Sequence, residues 1–174
     1  MEHERLTEGT RWLKLGCAVE TAVKAADSLA ALTSDLRVGT VAPNQALEWG
    51  TVMMSAFGFT SAGKAELVAA RVGLPNFRQY AVWEGQRMVA VAALYFNGEC
   101  ANLMSAGTLP EARGRGAQTA LLAARIRDAA AAGCRWVVAE TGAEAPGEPN
   151  TSLRNMMRAG FELLYERVTW SWHA

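Results

Sequence analysis

The pattern of apolar and polar positions predicts four β-strands between residues 36 and 109. The alternating or apolar segments cover residues 36–41, 77–83, 88–96 and 101–109. An apolar residue at every second position is typical of a strand with one face against a core. A short turn containing Gly85 separates the second segment from the third, and Asn97-Gly98 separates the third from the fourth. Such turns join antiparallel neighbours, so strands two to four are predicted to form a meander.

Four helices are predicted from apolar spacing and capping residues. Asn44 and Ser61 are placed to cap the first two, and Asn150 or Thr151 caps the last. The third is a long alanine-rich helix that follows Gly116. The predicted ranges are 44–57, 61–73, 117–132 and 150–160.

A fifth strand is predicted at residues 136–139, which are apolar throughout, as expected for a strand covered on both faces. It follows the fourth strand after one helix, so the two should be parallel neighbours joined by a right-handed crossover. Residues 161–172 alternate again and predict a final strand or hairpin. The expected fold is therefore a mixed α/β sheet, mainly antiparallel and flanked by helices, with one βαβ unit at its centre.

Residues 1–35 carry a weaker pattern. Residues 12–17 alternate and indicate a strand, and residues 21–32 are rich in alanine and indicate a helix. We therefore divide the chain into an N-terminal arm, residues 1–35, and a main domain, residues 36–174. Two interpretations of the arm stay open: a decorating segment, or the end of a preceding domain.

Composition narrows the function classes. A chain of 174 residues with zero formal net charge fits one domain and gives no sign of a broad nucleic-acid-binding surface. No stretch approaches the roughly 18–20 apolar residues of a membrane span, and the charged N-terminus lacks the apolar region of a signal peptide. The cysteines are few and widely spaced, which favours the cytoplasm: Cys17, Cys100 and Cys134.

The histidines exclude several mechanisms. The only two are His3 and His173, near the chain ends. A Ser-His-Asp or Cys-His nucleophile system therefore has no plausible base, and a histidine-rich zinc site is excluded. No metal is expected, and the chemistry should use carboxylates, Tyr, Ser, backbone groups or water.

The junction between the fourth predicted strand and the long helix carries the strongest candidate chemistry. The apolar run ends at Pro110, and the turn that follows contains, in order, Arg113, Gly114, Arg115 and Gly116. Glycine lets the main chain approach a ligand closely, and the first N–H groups of a helix lack partners within it. These groups, the helix dipole and the arginine charges suit a phosphate or pyrophosphate. The alternative is an ordinary basic turn between a strand and a helix.

Residues 108–118 resemble motif A of the GNAT superfamily of acyl-CoA-dependent N-acetyltransferases. That motif has the pattern R/Q-x-x-G-x-G/A, and Arg113 and Gly116 match its first and fourth positions. Gln118 stands where the superfamily has Gly or Ala, which is a departure. The turn is not a Walker A motif, because no Lys-Ser/Thr pair follows the glycines, and it lacks the third glycine of a dinucleotide fingerprint.

A second resemblance lies downstream, in residues 150–161. This segment is similar to a later helix of the superfamily that ends in a Gly-Phe pair, here Gly160-Phe161. The resemblance covers about residues 36–174. It implies a GNAT-like sheet in which the fourth and fifth strands splay apart and open a groove for the cofactor.

The resemblance also implies acetyl-CoA as co-substrate and assigns residues to it. The pantetheine arm is expected to bond to the fourth strand, and the pyrophosphate to the N–H groups of residues 114–118. Ser152 and Asn155 resemble a Ser-x-x-Asn variant of the later helix and should contact CoA; a capping role for Ser152 and a surface role for Asn155 are the alternatives. The implied cofactor residues are Ala106, Gly107, Thr108, Arg113, Gly114, Arg115, Gly116, Ala117, Gln118, Ser152 and Asn155.

The catalytic residues are less clearly indicated. In the superfamily a Tyr four residues before the Gly-Phe pair is often the general acid, and here that position is Met156, which cannot protonate a thiolate. The role is therefore absent or moved, and Ser152 is a candidate for it. Glu140, expected to face the splay at the end of the fifth strand, is the candidate base; a solvated strand-end charge is the alternative. Weaker candidates are Glu48, Tyr80 and Tyr95.

Two functions of different classes follow. The first is an N-acetyltransferase that transfers acetyl from acetyl-CoA to a primary amine of a small molecule or a protein, by direct attack. The second is a CoA-binding or structural module with weak or lost chemistry, which Met156 and Gln118 favour. A nucleotide-phosphate binder is disfavoured, because the lysine of a P-loop is missing. Trp170 and Trp172 are candidates for a homodimer contact.

Overall fold

The computed structural model describes residues 5–31, 36–59, 61, 63–145 and 147–173. Within these residues the strands are β1 (Arg5–Ala18), β2 (Arg37–Thr40), β3 (Phe77–Glu84), β4 (Arg87–Asn97), β5 (Cys100–Thr108), β6 (Trp136–Gly142) and β7 (Glu162–His173). The helices are α1 (Val19–Ala31), α2 (Ala46–Ala56), α3 (Lys64–Ala69), α4 (Ala117–Ala131) and α5 (Thr151–Arg158).

The strands form one seven-stranded sheet in the order β2-β3-β4-β5-β6-β1-β7. Among the ladders of the described residues, only that of β5 with β6 is parallel, and α4 connects these two strands. This confirms the predicted mixed, mainly antiparallel architecture with one βαβ unit. The predicted fourth and fifth strands correspond to β5 and β6. The numbers differ by one because the prediction counted strands from residue 36, and β1 lies before that residue.

Helices cover the two faces of the sheet unequally. On one face, α1 and α4 pack against the strands through residues such as Ala22, Leu121 and Ile126, all fully buried. On the other face, α2 packs Trp49 and Met53 over β3 and β4. The centre of the sheet is therefore buried on both sides, as the uninterrupted buried run in β4 shows, whereas β7 is exposed along almost its whole length.

The N-terminal segment is built into the sheet. The strand predicted at residues 12–17 lies within β1, which pairs with β6 over residues 12–18 and with β7 on its other edge. Helix α1 shares a core with α4. The predicted boundary after residue 35, and the predicted helix end at Leu32, fall outside the described residues, so the division into an arm and a main domain stays a prediction.

Two local predictions are corrected. Asn44 does not cap α2: it lies inside a short 3-10 turn, Pro43–Gln45, that proline favours at its start, and α2 begins at Ala46. Ser61 does not cap α3, which begins only after Gly63, a glycine with a left-handed φ of 80°. Of the two alternatives predicted for residues 161–172, a strand or a hairpin, the structure shows the strand: Glu162–His173 pairs with β1. In the described part of the chain, no helix has both the length and the apolar character needed to span a bilayer.

Candidate active site

The candidate site begins where β5 and β6 separate. Their parallel ladder ends at the pair Leu103 and Ala139. Beyond that pair β5 stays with β4 as far as Thr108, and β6 stays with β1 as far as Gly142. Beyond the pair Leu103 and Ala139, β5 therefore stays beside β4 and β6 stays beside β1. The edges of β5 and β6 that face each other are not paired there. This is the predicted splay.

A cavity of about 870 Å³ opens at this point. It is lined by the end of β5, the turn before α4, the first turn of α4, the loop after β6 and one side of α5. All the residues predicted to hold the cofactor line it except Arg115. The lining residues that carry the predictions are Ala106, Gly107, Thr108, Arg113, Gly114, Gly116, Ala117, Gln118, Ser152 and Asn155.

Residues 106–108, here called the β5 wall, are shaped by a β-bulge. The register with β4 shifts between the pairs Val91–Gly107 and Ala93–Met104, so β5 holds one extra residue there. Ser105, in the bulge, has a φ of 51°, which is rare for a residue with a Cβ. The bulge bends the strand away from its regular path at the position where the cavity begins.

Close packing fixes the β5 wall from the side of α2. A Cβ added to Gly107 would lie 2.7 Å from the Cβ of Ala56 and 3.4 Å from the ring of Phe57. Only a residue without a side chain allows the end of α2 to approach β5 this closely. Ala56 and Phe57 themselves line the cavity, so Gly107 determines the width of the cavity at this end.

A buried arginine supports the bulge from the α4 side. Arg125 is 4% exposed, and its guanidinium donates to the carbonyls of Ala93 at 3.3 Å and Met104 at 3.4 Å, the two residues that flank the register shift. It also donates to the carbonyl of Leu121 in its own helix. Burial lowers the pKa of Arg125 to about 10, so the group is charged at neutral pH. The guanidinium replaces hydrogen bonds that the interrupted ladder cannot supply.

The turn at residues 113–116, here called the glycine turn, leads directly into α4. Gly114 and Gly116 have φ values of 76° and 82°, and Gly116 is the N-cap of the helix. Arg113 donates to the carbonyls of Thr108 at 3.2 Å and Ala56 at 3.0 Å, so its guanidinium ties the turn to β5 and α2. The prediction that Arg115 lies at the cofactor site is corrected. It does not line the cavity, because it pairs with Glu84 at 2.7 Å outside it.

Gln118, the departure from the family pattern, bridges α4 and the β5 wall. Its Nε2 donates to the hydroxyl oxygen of Thr108 at 2.8 Å. The side chain therefore closes the corner of the cavity between the first turn of α4 and the end of β5. A glycine or alanine at this position would leave the Thr108 hydroxyl without that donor.

Helix α5 contributes a polar side to the cavity. Asn150 caps it by accepting from the N–H of Leu153 at 3.1 Å, which is one of the two predicted caps. Ser152 and Asn155 both line the cavity, and the Asn155 Oδ1 accepts from the guanidinium of Arg158. Met156, at the position of the usual Tyr, is 6% exposed and packs in the core.

The loop between β6 and α5, described at residues 143–145 and 147–150 and here called the β6–α5 loop, is anchored at both ends. The Glu144 carboxylate accepts from the N–H of Asn150 at 2.9 Å and from Arg154 at 3.0 Å. The hydrogen bond from that N–H, with help from Arg154, lowers the pKa of Glu144 below its ordinary value. Asn150 also donates to the Thr141 hydroxyl at 2.9 Å and to the Gly142 carbonyl at 2.7 Å. These contacts tie the end of β6 to the start of α5.

Glu140 does not face the cavity, which corrects the prediction for it. Its carboxylate forms an ion pair with Lys14, the residue opposite it in β1, and lies 3.6 Å from Arg167 of β7. The alternation along β6 points Glu140 across β1 rather than into the splay. Burial, followed by the nearby Arg167 charge, lowers the pKa of Lys14.

The weaker catalytic candidates also lie elsewhere. The Tyr80 hydroxyl donates to Asp128 at 2.6 Å, and burial raises the pKa of Tyr80. Tyr95 stacks on Phe77 with ring centroids 4.7 Å apart. Glu48 accepts from the N–H of Met88. None of these three side chains lines the cavity.

Two charged residues that line the cavity were not predicted from the sequence. Arg158 follows Asn155 by three positions, so the helical spacing that placed Ser152 and Asn155 on one side of α5 was the signal that could have found it. Glu148 lies in the β6–α5 loop, where no periodicity exists to indicate the direction of a side chain. Its place in the cavity depends on the loop conformation alone.

Comparison with known families identifies the class. The family model for the acetyltransferase (GNAT) domain matches residues 11–145. The match covers well over half of the chain and includes most of β1, the splay and the glycine turn. The chain therefore belongs to the GNAT acetyltransferase family. No curated protein matches it.

Solved structures show the same fold at low sequence identity. A GCN5-related N-acetyltransferase from Kribbella flavida has a TM-score of 0.60 and 16% identity, with coverage of 95% of this chain and 59% of that one. A glucosamine N-acetyltransferase region of a fungal multi-domain GH3 β-N-acetylglucosaminidase has a TM-score of 0.71 and 14% identity, covering 98% of this chain and 21% of that one.

A third structure contains a ligand. AAC(6')-Iy, in complex with the bisubstrate analogue CoA-S-monomethyl-acetylneamine, has a TM-score of 0.59 and 14% identity, covering 73% of this chain and 90% of that one. Some of the matched chains are longer than this one: it spans 61% of a Staphylococcus epidermidis protein of unknown function and 59% of the Kribbella protein.

Among the described residues, no group of three or more His, Cys, Asp or Glu side chains is arranged to hold a metal ion.

Proposed function

We propose that this protein is an N-acetyltransferase that transfers the acetyl group of acetyl-CoA to a primary amine of a small molecule or a protein. The observation that carries the proposal is the cavity at the splay, which joins the β5 wall to the glycine turn and the start of α4. Its volume of about 870 Å³ lies within the range of roughly 300–1,000 Å³ that cofactor sites occupy. Family membership supports the same class of reaction.

The cofactor would use backbone groups more than side chains. The β5 wall has an unpaired edge, along which the pantetheine arm would lie as an additional strand. The pyrophosphate would bind the N–H groups of residues 114–118 at the positive end of α4. Ser152 and Asn155 would contact CoA from α5, with Ser152 placed as the candidate donor to the leaving sulfur.

The main contribution of the protein to the reaction would be to hold the thioester and the amine close together. A neutral amine attacks the thioester carbonyl carbon, the C–N bond forms, and the C–S bond then breaks with its electron pair on sulfur. The nitrogen loses one proton and the sulfur gains one, which would balance the reaction as an amide and the free thiol of CoA. A backbone N–H of β5 would stabilise the oxyanion of the tetrahedral intermediate. The splay would hold the thioester and an acceptor in one cavity, so most of the rate gain would come from proximity.

The alternative proposal is a GNAT-like module that binds CoA and transfers little or no acetyl. Met156 favours it, because the usual proton donor is replaced by a buried apolar side chain. Thiol release separates the two proposals: an enzyme releases CoA with some amine, whereas a module binds acetyl-CoA and releases none.

The first experiment is calorimetric titration of the protein with acetyl-CoA, followed by the variant Gly114→Asp. Aspartate tolerates a left-handed φ better than most residues, and it places a carboxylate where the pyrophosphate would bind. The matched control is Gly133→Asp, at the opposite end of α4, with a φ of 78° against 76° and equally open surroundings. We expect micromolar binding, weakened at least about tenfold in the first variant and unchanged in the control.

Two results would contradict this assignment. If the protein does not bind acetyl-CoA, the acetyltransferase proposal fails. If both aspartate variants weaken binding equally, the glycine turn does not hold the pyrophosphate and the loss reflects backbone strain alone.

Location and assembly belong to the same proposal. A cytoplasmic location is consistent with the three cysteines, which are all free.

A homodimer is proposed on the basis of Trp170 and Trp172, which are 56% and 58% exposed on the edge strand β7. Sedimentation of the wild-type protein would test the dimer directly.

A further inference from the structure

The cavity has one large apolar side chain. Among the described residues that line it, Phe57 is the only aromatic residue, and the other nonpolar ones are alanine, glycine and proline. Phe57 follows the last residue of α2 and is 55% exposed, so the ring is open to the cavity. A half-exposed aromatic ring inside a cavity of cofactor size is a candidate contact for a ligand.

Three contacts hold this ring beside the β5 wall. The Cε2 atom of Phe57 lies 3.4 Å from the position that a Cβ on Gly107 would occupy. The carbonyl of Ala56, in the peptide bond that leads to Phe57, accepts from Arg113 at 3.0 Å. The N–H of Phe57 donates to the carbonyl of Met54 at 3.2 Å and closes the end of α2. A ring held in this way needs little reorganisation to bind a ligand.

The two faces of the β5 wall meet different helices. The Thr108 hydroxyl faces α4, where it accepts from Gln118, whereas Gly107 faces the end of α2 and the ring of Phe57. These helices lie on opposite faces of the sheet. The proposed pyrophosphate site, at the glycine turn and the start of α4, belongs to the α4 side. A cofactor that enters from that side leaves the α2 side of the splay for the amine that attacks the thioester.

The α2 side of the cavity is apolar. Of the charged side chains that line the cavity in the described part of the chain, only Arg113 bonds to the end of α2. Its guanidinium is directed at the carbonyls of Ala56 and Thr108. A charged group of an acceptor would lose hydration there without gaining a free partner, whereas an apolar group would gain from burial against the ring.

We propose that Phe57 determines acceptor specificity, so that the amines acetylated are those with an aromatic or bulky apolar group that packs on this ring. This rests on the proposed acetyltransferase function. The ring binds the apolar group of the acceptor and takes no part in proton transfer or in bond formation. An aromatic group would gain from ring–ring contact in addition to burial, and small or strongly polar amines would be poor acceptors.

The test compares one amine with and without a ring. Phenethylamine and ethylamine both carry a primary amino group, and only the first has an apolar group that Phe57 can contact. Thiol release is measured with saturating acetyl-CoA for the wild-type protein, Phe57→Ala, Phe57→Leu and Phe59→Ala. Phe59→Ala is the matched control, because Phe59 is two residues further on and 49% exposed but does not line the cavity.

We expect kcat/KM of the wild-type protein to be about tenfold or more higher for phenethylamine than for ethylamine. This ratio should fall below about threefold in Phe57→Ala, mainly through the KM for phenethylamine. Phe57→Leu should keep part of the ratio, and Phe59→Ala all of it. Because the ratio is taken within each protein, a change in acetyl-CoA affinity affects both amines equally. A wild-type protein that does not favour phenethylamine, or an unchanged ratio in Phe57→Ala, would overturn the proposal.

A second measurement distinguishes the acceptor from the acyl group. If the ring limits the length of the acyl group instead, Phe57→Ala should bind hexanoyl-CoA more tightly than the wild-type protein does and keep the ratio between the amines. That result overturns the acceptor site.

A binding measurement keeps this result separate from the proposed function. If the protein binds acetyl-CoA but releases no thiol, the CoA-loaded protein is titrated with phenethylammonium chloride and followed by NMR. Binding that is lost in Phe57→Ala and kept in Phe59→Ala supports the ring site even in a module without turnover. No binding of this amine by the wild-type protein overturns the ring site alone, and failure to bind acetyl-CoA overturns both proposals.

Discussion

The β5 wall and the β6–α5 loop both line the cavity and are held by different kinds of interaction. The wall depends on contacts between residues far apart in the chain: Gly107 against Ala56, and Arg125 against the carbonyls beside the bulge. The loop depends on hydrogen bonds among residues close in sequence, from Thr141 to Arg154. The wall presents backbone to the cavity, and the loop presents the side chain of Glu148.

This difference indicates a division of roles. Backbone groups held by a packed core bind a ligand that is the same for every member of a family, here the proposed acetyl-CoA. A loop anchored by its own polar residues can change its exposed side chains without disturbing that core. Cofactor binding should therefore depend on the wall and the glycine turn, and the exposed side chains of the loop can vary without changing it.

The largest effect on the wall is expected from Arg125→Met. The change leaves the carbonyls of Ala93 and Met104 without their buried donor, so the free energy of unfolding should fall by about 3 kcal/mol. The control is Arg127→Met in the same helix, which breaks only an exposed pair with Asp27 and should cost less than about 1 kcal/mol. Urea denaturation measures both, and equal losses would show that Arg125 does not support the bulge.

A smaller loss of stability is expected from Gly107→Ala. The added methyl group overlaps Ala56 at 2.7 Å, so the free energy of unfolding should fall by about 1–3 kcal/mol, and acetyl-CoA should bind less tightly as α2 moves away. Gly142→Ala is the matched change across the splay, where nothing lies within 4 Å. Gly142→Ala should change neither the free energy of unfolding nor the affinity for acetyl-CoA. If it destabilises the protein as much as Gly107→Ala, close packing at Gly107 is not the cause of the loss.

The smallest effect is expected from Glu144→Gln, on the loop. The amide hydrogen of Asn150 should exchange severalfold faster, because its N–H loses a charged acceptor and the first turn of α5 is held less firmly. Glu99→Gln, which removes an exposed pair with Arg135 far from the cavity, is the control. Unchanged exchange at Asn150 would show that the loop keeps its conformation without the Glu144 contacts.

The same anchor has a defined pH dependence. The folded pKa of Glu144 lies below its unfolded value, so its contribution is present at neutral pH and is lost as pH falls through the folded pKa. The amide resonance of Asn150 should therefore titrate below the ordinary range of a glutamate. Titration at or above that range would mean that the hydrogen bond from the Asn150 N–H is absent in solution.

Much of this molecule was determined by short-range sequence patterns. Alternation and glycine turns predicted β2 to β5, an uninterrupted apolar run predicted β6, and the order of arginines and glycines predicted the glycine turn at the start of α4. These features depend on neighbouring residues and on the periods of strands and helices, so they can be found without knowing the fold. The resemblance to the GNAT superfamily rests on the same local segments.

Tertiary structure alone decided three other features. It placed β1 between β6 and β7, because strand order is set by how the helices cover the sheet and not by local alternation. It turned Glu140 towards Lys14 and Arg167, because a strand end beside β1 offers two cations that sequence spacing does not reveal. It brought Glu148 into the cavity, because the direction of a side chain in a loop depends on the hydrogen bonds that anchor the backbone on either side of it, here those of Asn150 to the end of β6, and no periodicity in the sequence indicates them.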